Sequence, residues 1–149
     1  MPAYLRNLMS EHTWLKYGII ALGAIGFIVI VVLMLNFGRG LEGPTWVVQE
    51  MSVDGTMTEP IPETPPYAVF EDGTVAGSSG CNNYNGAYET DGDSMTIGPL
   101  ASTLMACTSE LLGQETFYFG LLAQVDSYEV NGDELALSSG DTVLLRYES

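Results

Sequence analysis

Positive charge is scarce in this chain. Four Lys and Arg residues stand against 19 Asp and Glu residues, and His12 is the single histidine. Residues 41–149 hold 18 acidic side chains and one base, Arg146, which gives them a net charge of −17. Phosphate contacts need clusters of Lys and Arg, so this composition excludes nucleic-acid binding. The acidic excess indicates a solvated, self-repelling surface, with a cationic partner or loose divalent binding as the alternative.

The same residues, 41–149, contain no histidine and no lysine. This excludes Ser-His-Asp, Cys-His and Ser-Lys nucleophiles, and a zinc site would need histidine or more cysteine. Asp91-Gly92-Asp93 fits a hairpin turn better than a calcium loop. A carboxylate pair for glycoside hydrolysis stays open, but 18 acids make some pairs unavoidable. We therefore expect no catalytic site, no metal site and no cofactor.

One long stretch, residues 17–38, carries no charge at all. It lies between Lys16 and Arg39, and Asn36 is its one strongly polar residue. A helix of this length spans about 33 Å, enough for the hydrocarbon core of a bilayer. It has no polar stripe, and it is longer than the roughly 7–15 apolar residues of a signal peptide. The stretch predicts an uncleaved transmembrane anchor that contacts the lipid bilayer.

The flanking charges predict the orientation of this anchor. Arg6 and Lys16 precede it and Arg39 follows it, which favours a cytoplasmic N-terminus and an extracytoplasmic C-terminal domain. Residues 1–16 are expected to form a short cytoplasmic or interfacial segment. Residues 39–44, which contain two glycines and a proline, predict a flexible linker.

Residues 45–149 have the pattern of an antiparallel β domain. Short runs of β-branched and aromatic residues are separated by Asp-Gly and Asn-Gly pairs, which are strong hairpin signals. The first run, Thr45–Met51, contains Trp46 and predicts a core strand. Residues 52–66 carry four prolines. They predict a surface loop or a cover for a sheet edge, with a polyproline II recognition segment as the alternative.

Leu100–Ala106 predicts one more extended run, and the pattern then changes to helical spacing after Thr108 or Ser109. Apolar residues then recur at helical intervals to about Ala123, although Gly113 and Gly120 weaken the pattern. About eight or nine strands and one helix predict an α+β fold. We expect a mainly antiparallel, barrel-like sheet with one helix packed on it, preceded by the single transmembrane helix.

Glycine, asparagine and serine are concentrated around Cys81. These residues tolerate positive φ or bond to their own backbone, so the run predicts a tight structural loop between two strands. The residues assigned to this loop are Gly80, Asn82, Asn83, Tyr84, Asn85 and Gly86. The asparagines could hydrogen-bond a ligand. In a domain so poor in bases, we expect them instead to hydrogen-bond within their own loop.

Cys81 and Cys107 are the two cysteines of the chain. On the predicted topology they face an oxidising compartment, where a disulfide would stabilise the domain by about 3–4 kcal/mol. Two buried reduced thiols are the alternative, and they would apply to a cytoplasmic domain. A redox-active pair is disfavoured because the spacing is not C-x-x-C and no nearby base lowers a thiol pKa.

The combination of these segments resembles a known family. Ser79–Gly86, then Leu100–Thr103 and Met105–Cys107, closely resemble the META domain of the HslJ-like heat-shock proteins. Trp46 matches a tryptophan typical of the start of such domains. The resemblance covers roughly residues 45–147 and implies a compact, barrel-like α+β form without catalytic residues. It also implies a role in envelope stress or antibiotic tolerance.

Two functions follow as hypotheses. The first is a membrane-anchored, non-enzymatic module on the outer face of a bacterial membrane, working in envelope maintenance or stress. The second is an accessory subunit of a larger membrane complex. Its partner would dock on the small residues in the first half of the anchor or on the acidic domain.

Overall fold

The computed structural model describes residues 40–149, which form ten strands and one helix. The elements are β1 (Thr45–Val53), β2 (Thr56–Thr58), β3 (Tyr67–Glu71), β4 (Thr74–Ser78), β5 (Asn83–Asp91), β6 (Ser94–Ile97), β7 (Ala101–Ser102), α1 (Ser109–Leu122), β8 (Ser127–Asn131), β9 (Glu134–Ser139) and β10 (Thr142–Glu148). The predicted segment 1–16 and anchor 17–38 lie outside the described residues. Within 40–149, no helix has the length and apolar character needed to cross a bilayer.

Eight of these strands close into a barrel. The order around the ring is β10, β9, β8, β6, β5, β4, β3 and β1, and β10 pairs with β1 to close it. β2 pairs with β1, and β7 pairs with β5, outside the ring. The pairings are antiparallel. An antiparallel barrel with one helix confirms the α+β prediction for this part of the chain.

β6 and β8 share fewer paired residues than any other two neighbouring strands of the barrel. Ser94 and Ser127 are their register pair. Two backbone hydrogen bonds flank them, from Met95 N to Asp126 O at 3.0 Å and from Tyr128 N to Asp93 O at 2.9 Å. Ring closure therefore depends on few hydrogen bonds at this point.

Asp-Gly and Asn-Gly pairs make the predicted hairpin turns. Asp72 and Gly73 have φ values of 48° and 73° between β3 and β4, the combination that a type I′ turn requires. Gly92 and Gly132 have φ values of 64° and 65° in the turns that follow β5 and β8. Glycine reaches this left-handed region without a Cβ clash, so the local sequence fixes these turns.

Aromatic residues dominate the barrel interior. Trp46, Phe70 and Tyr118 are completely buried, and the rings of Phe70 and Tyr88 meet edge to face with centroids 5.1 Å apart. Further core residues are Val48, Val75, Met95, Leu122, Leu135, Leu137, Leu145 and Tyr147. The burial of Trp46 and Val48 confirms β1 as the predicted core strand.

The helix α1 closes against this core. Its N-cap is Thr108, whose hydroxyl accepts a hydrogen bond from Leu111 N at 3.3 Å. Its C-cap is Ala123, so the predicted bounds of the helix are confirmed. The buried positions share one face of the helix, at spacings of four, three and one: Gln114, Tyr118, Leu121 and Leu122.

Two predicted irregular or extended segments differ from the structure. The proline-rich segment 52–66 contains a short strand, β2, which folds back on β1 through Asp54 and Gly55. Both turn residues have positive φ, so the Asp-Gly signal was present there too. The predicted extended run Leu100–Ala106 is a strand only at Ala101–Ser102, beside β5.

The predicted loop Gly80–Gly86 is wrong in its second half, because Asn83–Gly86 are the first residues of β5. Asparagine and glycine favour turns, but β4 on one side and β7 on the other supply backbone partners that hold them extended. Gly86 is required by close packing, since a Cβ there would lie 2.6 Å from Leu100 Cδ2. The true turn is limited to Ser79–Asn82.

Candidate functional site: the Cys81–Cys107 junction

A disulfide joins Cys81 to Cys107, with 6.2 Å between the Cα atoms. Cys81 lies in the turn between β4 and β5, and Cys107 lies immediately before the N-cap of α1. The bridge therefore ties the barrel wall to the start of the helix. Of the two hypotheses for the cysteines, the structure supports the disulfide. We call this bridge and the polar groups around it the junction.

Asn82 is the centre of the junction and is 1% exposed. Its side-chain oxygen accepts hydrogen bonds from Thr103 Oγ1 at 2.9 Å and from Met105 N at 2.7 Å. Its side-chain nitrogen donates to Glu115 Oε1 at 3.1 Å. One amide thus connects the turn before β5, the segment before the helix and the helix itself.

Glu115 and Ser79 complete this connection on the helix side. Glu115 Oε2 accepts hydrogen bonds from the Ser79 hydroxyl and from Asn82 N, the latter at 3.3 Å. Ser79 Oγ also accepts from Asn82 N at 3.1 Å. The carboxylate of Glu115 therefore accepts three hydrogen bonds from the turn.

Gln114, the neighbour of Glu115, binds the proline-rich segment to the same turn. Its side-chain oxygen accepts from Ile61 N at 2.8 Å. Its side-chain nitrogen donates to Thr64 O at 2.9 Å and to Ser79 O at 3.1 Å. The segment 52–66 is thereby held against the turn of the junction.

Gly80 has the one positive φ of the turn, +98°. A Cβ at this position would lie 2.5 Å from Thr64 O and 2.6 Å from Gln114 Nε2. Glycine is therefore needed here for two reasons, the backbone conformation and the close approach of two other segments.

The other predicted loop residues lie on β5 and point in alternate directions. Asn83 and Asn85 are exposed, so they do not join Asn82 in the junction. The side chain of Tyr84 points into the core, where its hydroxyl donates to Tyr67 O at 3.2 Å. Only Gly80 and Asn82 of the six predicted residues thus belong to the junction itself.

Tyr84 begins a chain of three buried tyrosines. Its hydroxyl lies 2.8 Å from that of Tyr118, which lies 3.1 Å from that of Tyr147. Burial, as the main cause, raises the pKa of each of these phenols well above its ordinary value. The hydroxyls satisfy one another and end on a backbone carbonyl, which makes the chain a structural network in the core.

A fourth tyrosine fastens the beginning of the domain. Tyr88 donates a hydrogen bond to Glu42, and the indole of Trp46 donates to Leu41 O at 2.8 Å. Burial, reinforced by the bond to Glu42, raises the pKa of Tyr88 to about 12. Leu41 and Glu42, which belong to the predicted linker 39–44, are therefore attached to the barrel.

The chemistry that the junction can perform is limited by access. Ser79 donates to a carboxylate, as an activated nucleophile would, but Ser79 is completely buried. Within residues 40–149, no three or more His, Cys, Asp and Glu side chains are placed to hold a metal ion. The bonded groups of the junction are suited to holding segments together.

A carboxylate-lined groove of about 320 Å³ lies on the surface of the barrel. Arg146 lies in it, with its Nε atom 3.5 Å from Glu50 Oε2. Three more glutamates line it, Glu129, Glu134 and Glu148. Both partners of the ion pair are substantially exposed, so the pair contributes little to stability.

Sequence reasoning missed the helix side of the junction, Gln114 and Glu115. A signal for Gln114 was present, because it lies four residues before Tyr118 on the apolar face of α1. A polar residue on such a face must find hydrogen-bond partners inside the fold. The sequence pattern indicates that Gln114 needs such partners. Only the folded barrel shows that they are Ile61, Thr64 and Ser79.

Three solved structures are similar to this chain in fold. A protein from Burkholderia xenovorans, solved by NMR, is 24% identical with a TM-score of 0.62, over 72% of this chain and 82% of that one. A second NMR structure is 23% identical with a TM-score of 0.51, over 70% and 86%. A DUF4847 family protein from Bacteroides vulgatus is 14% identical with a TM-score of 0.54, over 72% and 93%.

The sequence itself is matched by a family model. No curated protein sequence matches the chain. The model of the META domain, however, matches residues 39–149, which include the whole barrel, the helix and the junction. The chain therefore belongs to the META domain family.

Proposed function

We propose that this chain is a membrane-anchored, non-catalytic META module of the cell envelope, similar to the HslJ-like proteins, that works in envelope maintenance or in tolerance of stress and antibiotics. The observation that carries the proposal is the inward bonding of the junction. Ser79, Asn82, Gln114 and Glu115 make their hydrogen bonds within the fold. These groups therefore stabilise the fold, and we assign the function of the domain to its surface.

The anchor in this proposal is supported by the uncharged stretch 17–38. Its length suits a bilayer, and Arg6 and Lys16 on its N-terminal side favour a cytoplasmic N-terminus. A disulfide in the domain fits an oxidising, extracytoplasmic compartment. Cysteine-accessibility labelling in intact cells tests the topology: a cysteine introduced at exposed Glu134 should react with a membrane-impermeant maleimide, and one introduced at Ser10 should not.

Deletion of the gene tests the role. We expect the deletion strain to grow less well under heat, detergent and novobiocin-type antibiotics, and the full-length chain to restore growth. A variant in which Cys81 and Cys107 are both serine is the informative complement, because it removes the bridge and keeps the anchor. Unchanged growth of the deletion strain under all three conditions would contradict the role in envelope stress.

An accessory subunit of a larger membrane complex is the second candidate. It is favoured by the exposed apolar side chains in the segment before α1, since Leu104 is 95% exposed and Met105 is 53% exposed. Extraction in a mild detergent followed by native electrophoresis separates the two candidates. A small species that contains this chain alone argues against the subunit, and a large species of constant composition argues for it.

A further inference from the structure

Exposed apolar side chains are concentrated at one place in residues 40–149. The described residues expose four large hydrophobic side chains: Tyr67 lies apart on β3, whereas Leu104, Met105 and Leu112 lie close together in sequence. This segment is fixed rather than loose, because Met105 N is bonded to Asn82 and Cys107 is bridged to Cys81. An apolar tip held in one conformation loses little entropy when it binds.

An open groove lies along the outward face of α1. It has a volume of about 490 Å³ and begins at Leu112. Gly113, Thr116, Phe117 and Gly120 also line it, and Leu121, which belongs to the packed face of the helix, borders it. The lining is mostly apolar, and the opposite face of the helix, with Gln114 and Tyr118, is the one that packs into the barrel.

The packing of the domain gives no reason for the two glycines in this groove. A Cβ at Gly113 or Gly120 would meet nothing within 4 Å. Each glycine weakens a helix by roughly 1 kcal/mol relative to alanine. What the glycines provide is room on the outward face, enough for the side chains of another helix to approach closely.

Charge decides which occupant suits the groove. Glu59 and Glu110 line the adjoining depression, which shares Gly113 and Phe117 with the groove. A second copy of this domain would bring net charges of −17 together. Anionic lipid would also be repelled. Lysine or arginine beside an apolar ridge would instead meet complementary charge.

We propose that the outward face of α1 binds a basic amphipathic helix of a partner protein. The apolar ridge of that helix lies in the groove between Leu112 and Leu121, and its basic residues face Glu59 and Glu110. This is the helix-in-groove mode of peptide recognition. The inference rests on the proposed function as a non-catalytic module and names the chemistry of its partner.

The test uses the full-length chain in nanodiscs of zwitterionic lipid and a fluorescent synthetic helix of leucine and lysine. Its control is a peptide of the same composition with the leucines scrambled off one face. At physiological ionic strength, fluorescence anisotropy should show the amphipathic peptide binding about tenfold more tightly or better. Equal affinity of the two peptides would overturn the proposal, because a diffuse acidic surface would then account for the binding.

Variants locate the site. Gly120→Leu fills the groove from a position with open space around it, so the domain should keep its thermal stability and lose about tenfold or more in affinity. The double variant Glu59→Gln with Glu110→Gln should bind the peptide more weakly, and its affinity should depend less on the salt concentration. The matched controls Tyr67→Ser, for an exposed ring elsewhere, and Glu129→Gln with Glu134→Gln, in the carboxylate-lined groove, should bind like the wild type.

The remaining outcomes also decide the matter. Unchanged affinity of Gly120→Leu, or an equal loss in the Glu129 and Glu134 control, would overturn the proposal. So would a homodimer that Gly120→Leu dissolves, since the occupant would then be a second copy. If the peptide does not bind but the deletion strain is sensitive to stress, this inference is wrong and the proposed function stands. If the peptide binds but the deletion strain grows normally under stress, the proposed role is wrong and the binding site stands.

Discussion

At the scale of single residues, neighbouring asparagines in β5 and the turn before it have different structural roles. Asn82 is buried and bonded to three segments, whereas Asn83, the next residue, is exposed on β5. The two are identical in sequence type and adjacent in the chain. Their difference arises because the turn directs the side chain of Asn82 toward Thr103, Met105 and Glu115, whereas Asn83 begins β5 with its side chain exposed.

Substitution of Asn82 tests this difference. Asn82→Ala removes the buried side-chain amide that bonds three segments, and we expect the free energy of unfolding to fall by about 2–4 kcal/mol. Denaturant titration of the full-length chain in mild detergent, followed by tryptophan fluorescence, measures the change. Asn83→Ala is the control and should lie within about 0.5 kcal/mol of wild type. Similar losses in both variants would contradict the central role of Asn82.

The buried tyrosines predict a loss of stability at high pH. The phenols of Tyr84, Tyr118 and Tyr147 have raised pKa values in the folded state, and that of Tyr88 is raised to about 12. A raised pKa means that the stabilising contribution is complete below the unfolded value of about 10 and is lost as the pH rises through the folded value.

Denaturant titrations between about pH 8 and pH 12 measure this loss. We expect the free energy of unfolding to be nearly level to about pH 9 and to fall above pH 10. Tyr88→Phe should make the fall shallower, because it removes one of the four groups. A stability that stays level to pH 12 would show that these phenols do not titrate with unfolding.

At the scale of elements, α1 combines a buried face that the barrel needs with an outward face that it does not use. Gln114 and Tyr118 are bonded into the core, and the space beside Gly113 and Gly120 is open. The glycines that weakened the sequence prediction of this helix therefore lie on its free face. The helix forms despite them because tertiary packing of the other face outweighs intrinsic propensity.

Glycine substitutions distinguish a glycine on the free face of α1 from a glycine that close packing requires. Gly113→Ala and Gly120→Ala should each raise the free energy of unfolding by roughly 0.5–1 kcal/mol, since alanine is the better helix former and finds open space. Gly77→Ala in β4 should destabilise the domain, because its Cβ would overlap Tyr67 O, only 1.9 Å away. Thermal melts of the three variants by circular dichroism give the signs. A lower melting temperature for both helix variants would mean that the outward face packs within this chain.

At the scale of the whole molecule, the disulfide restricts the unfolded chain as well as the fold. Its ends are 26 residues apart, and the loop between them includes β5, β6 and β7. We expect the double variant Cys81→Ser with Cys107→Ser to lose about 3–4 kcal/mol in the free energy of unfolding. The wild type in excess reductant should show the same loss, measured by denaturant titration. A loss below about 1 kcal/mol would show that the hydrogen bonds of Asn82 suffice to close the junction.

The sequence by itself determined much of this architecture, because the deciding signals are local. Asp72-Gly73 and Gly132 set their turns by backbone conformation, Thr108 caps the helix, and alternation in β1 buries Trp46. The META resemblance pointed to the same junction that the fold contains. Local chemistry was enough wherever a residue acts through its own backbone or its nearest neighbours.

Only the tertiary structure decided the rest. Asn83–Gly86 are strand because β4 on one side and β7 on the other supply hydrogen bonds, against their own preference for turns. Asn82 and Glu115 are 33 positions apart in the chain, and closure of the barrel and docking of α1 bring them together. The open groove beside Gly120 exists only once the other face of the helix is buried. These features depend on contacts between remote segments, which a local pattern does not encode.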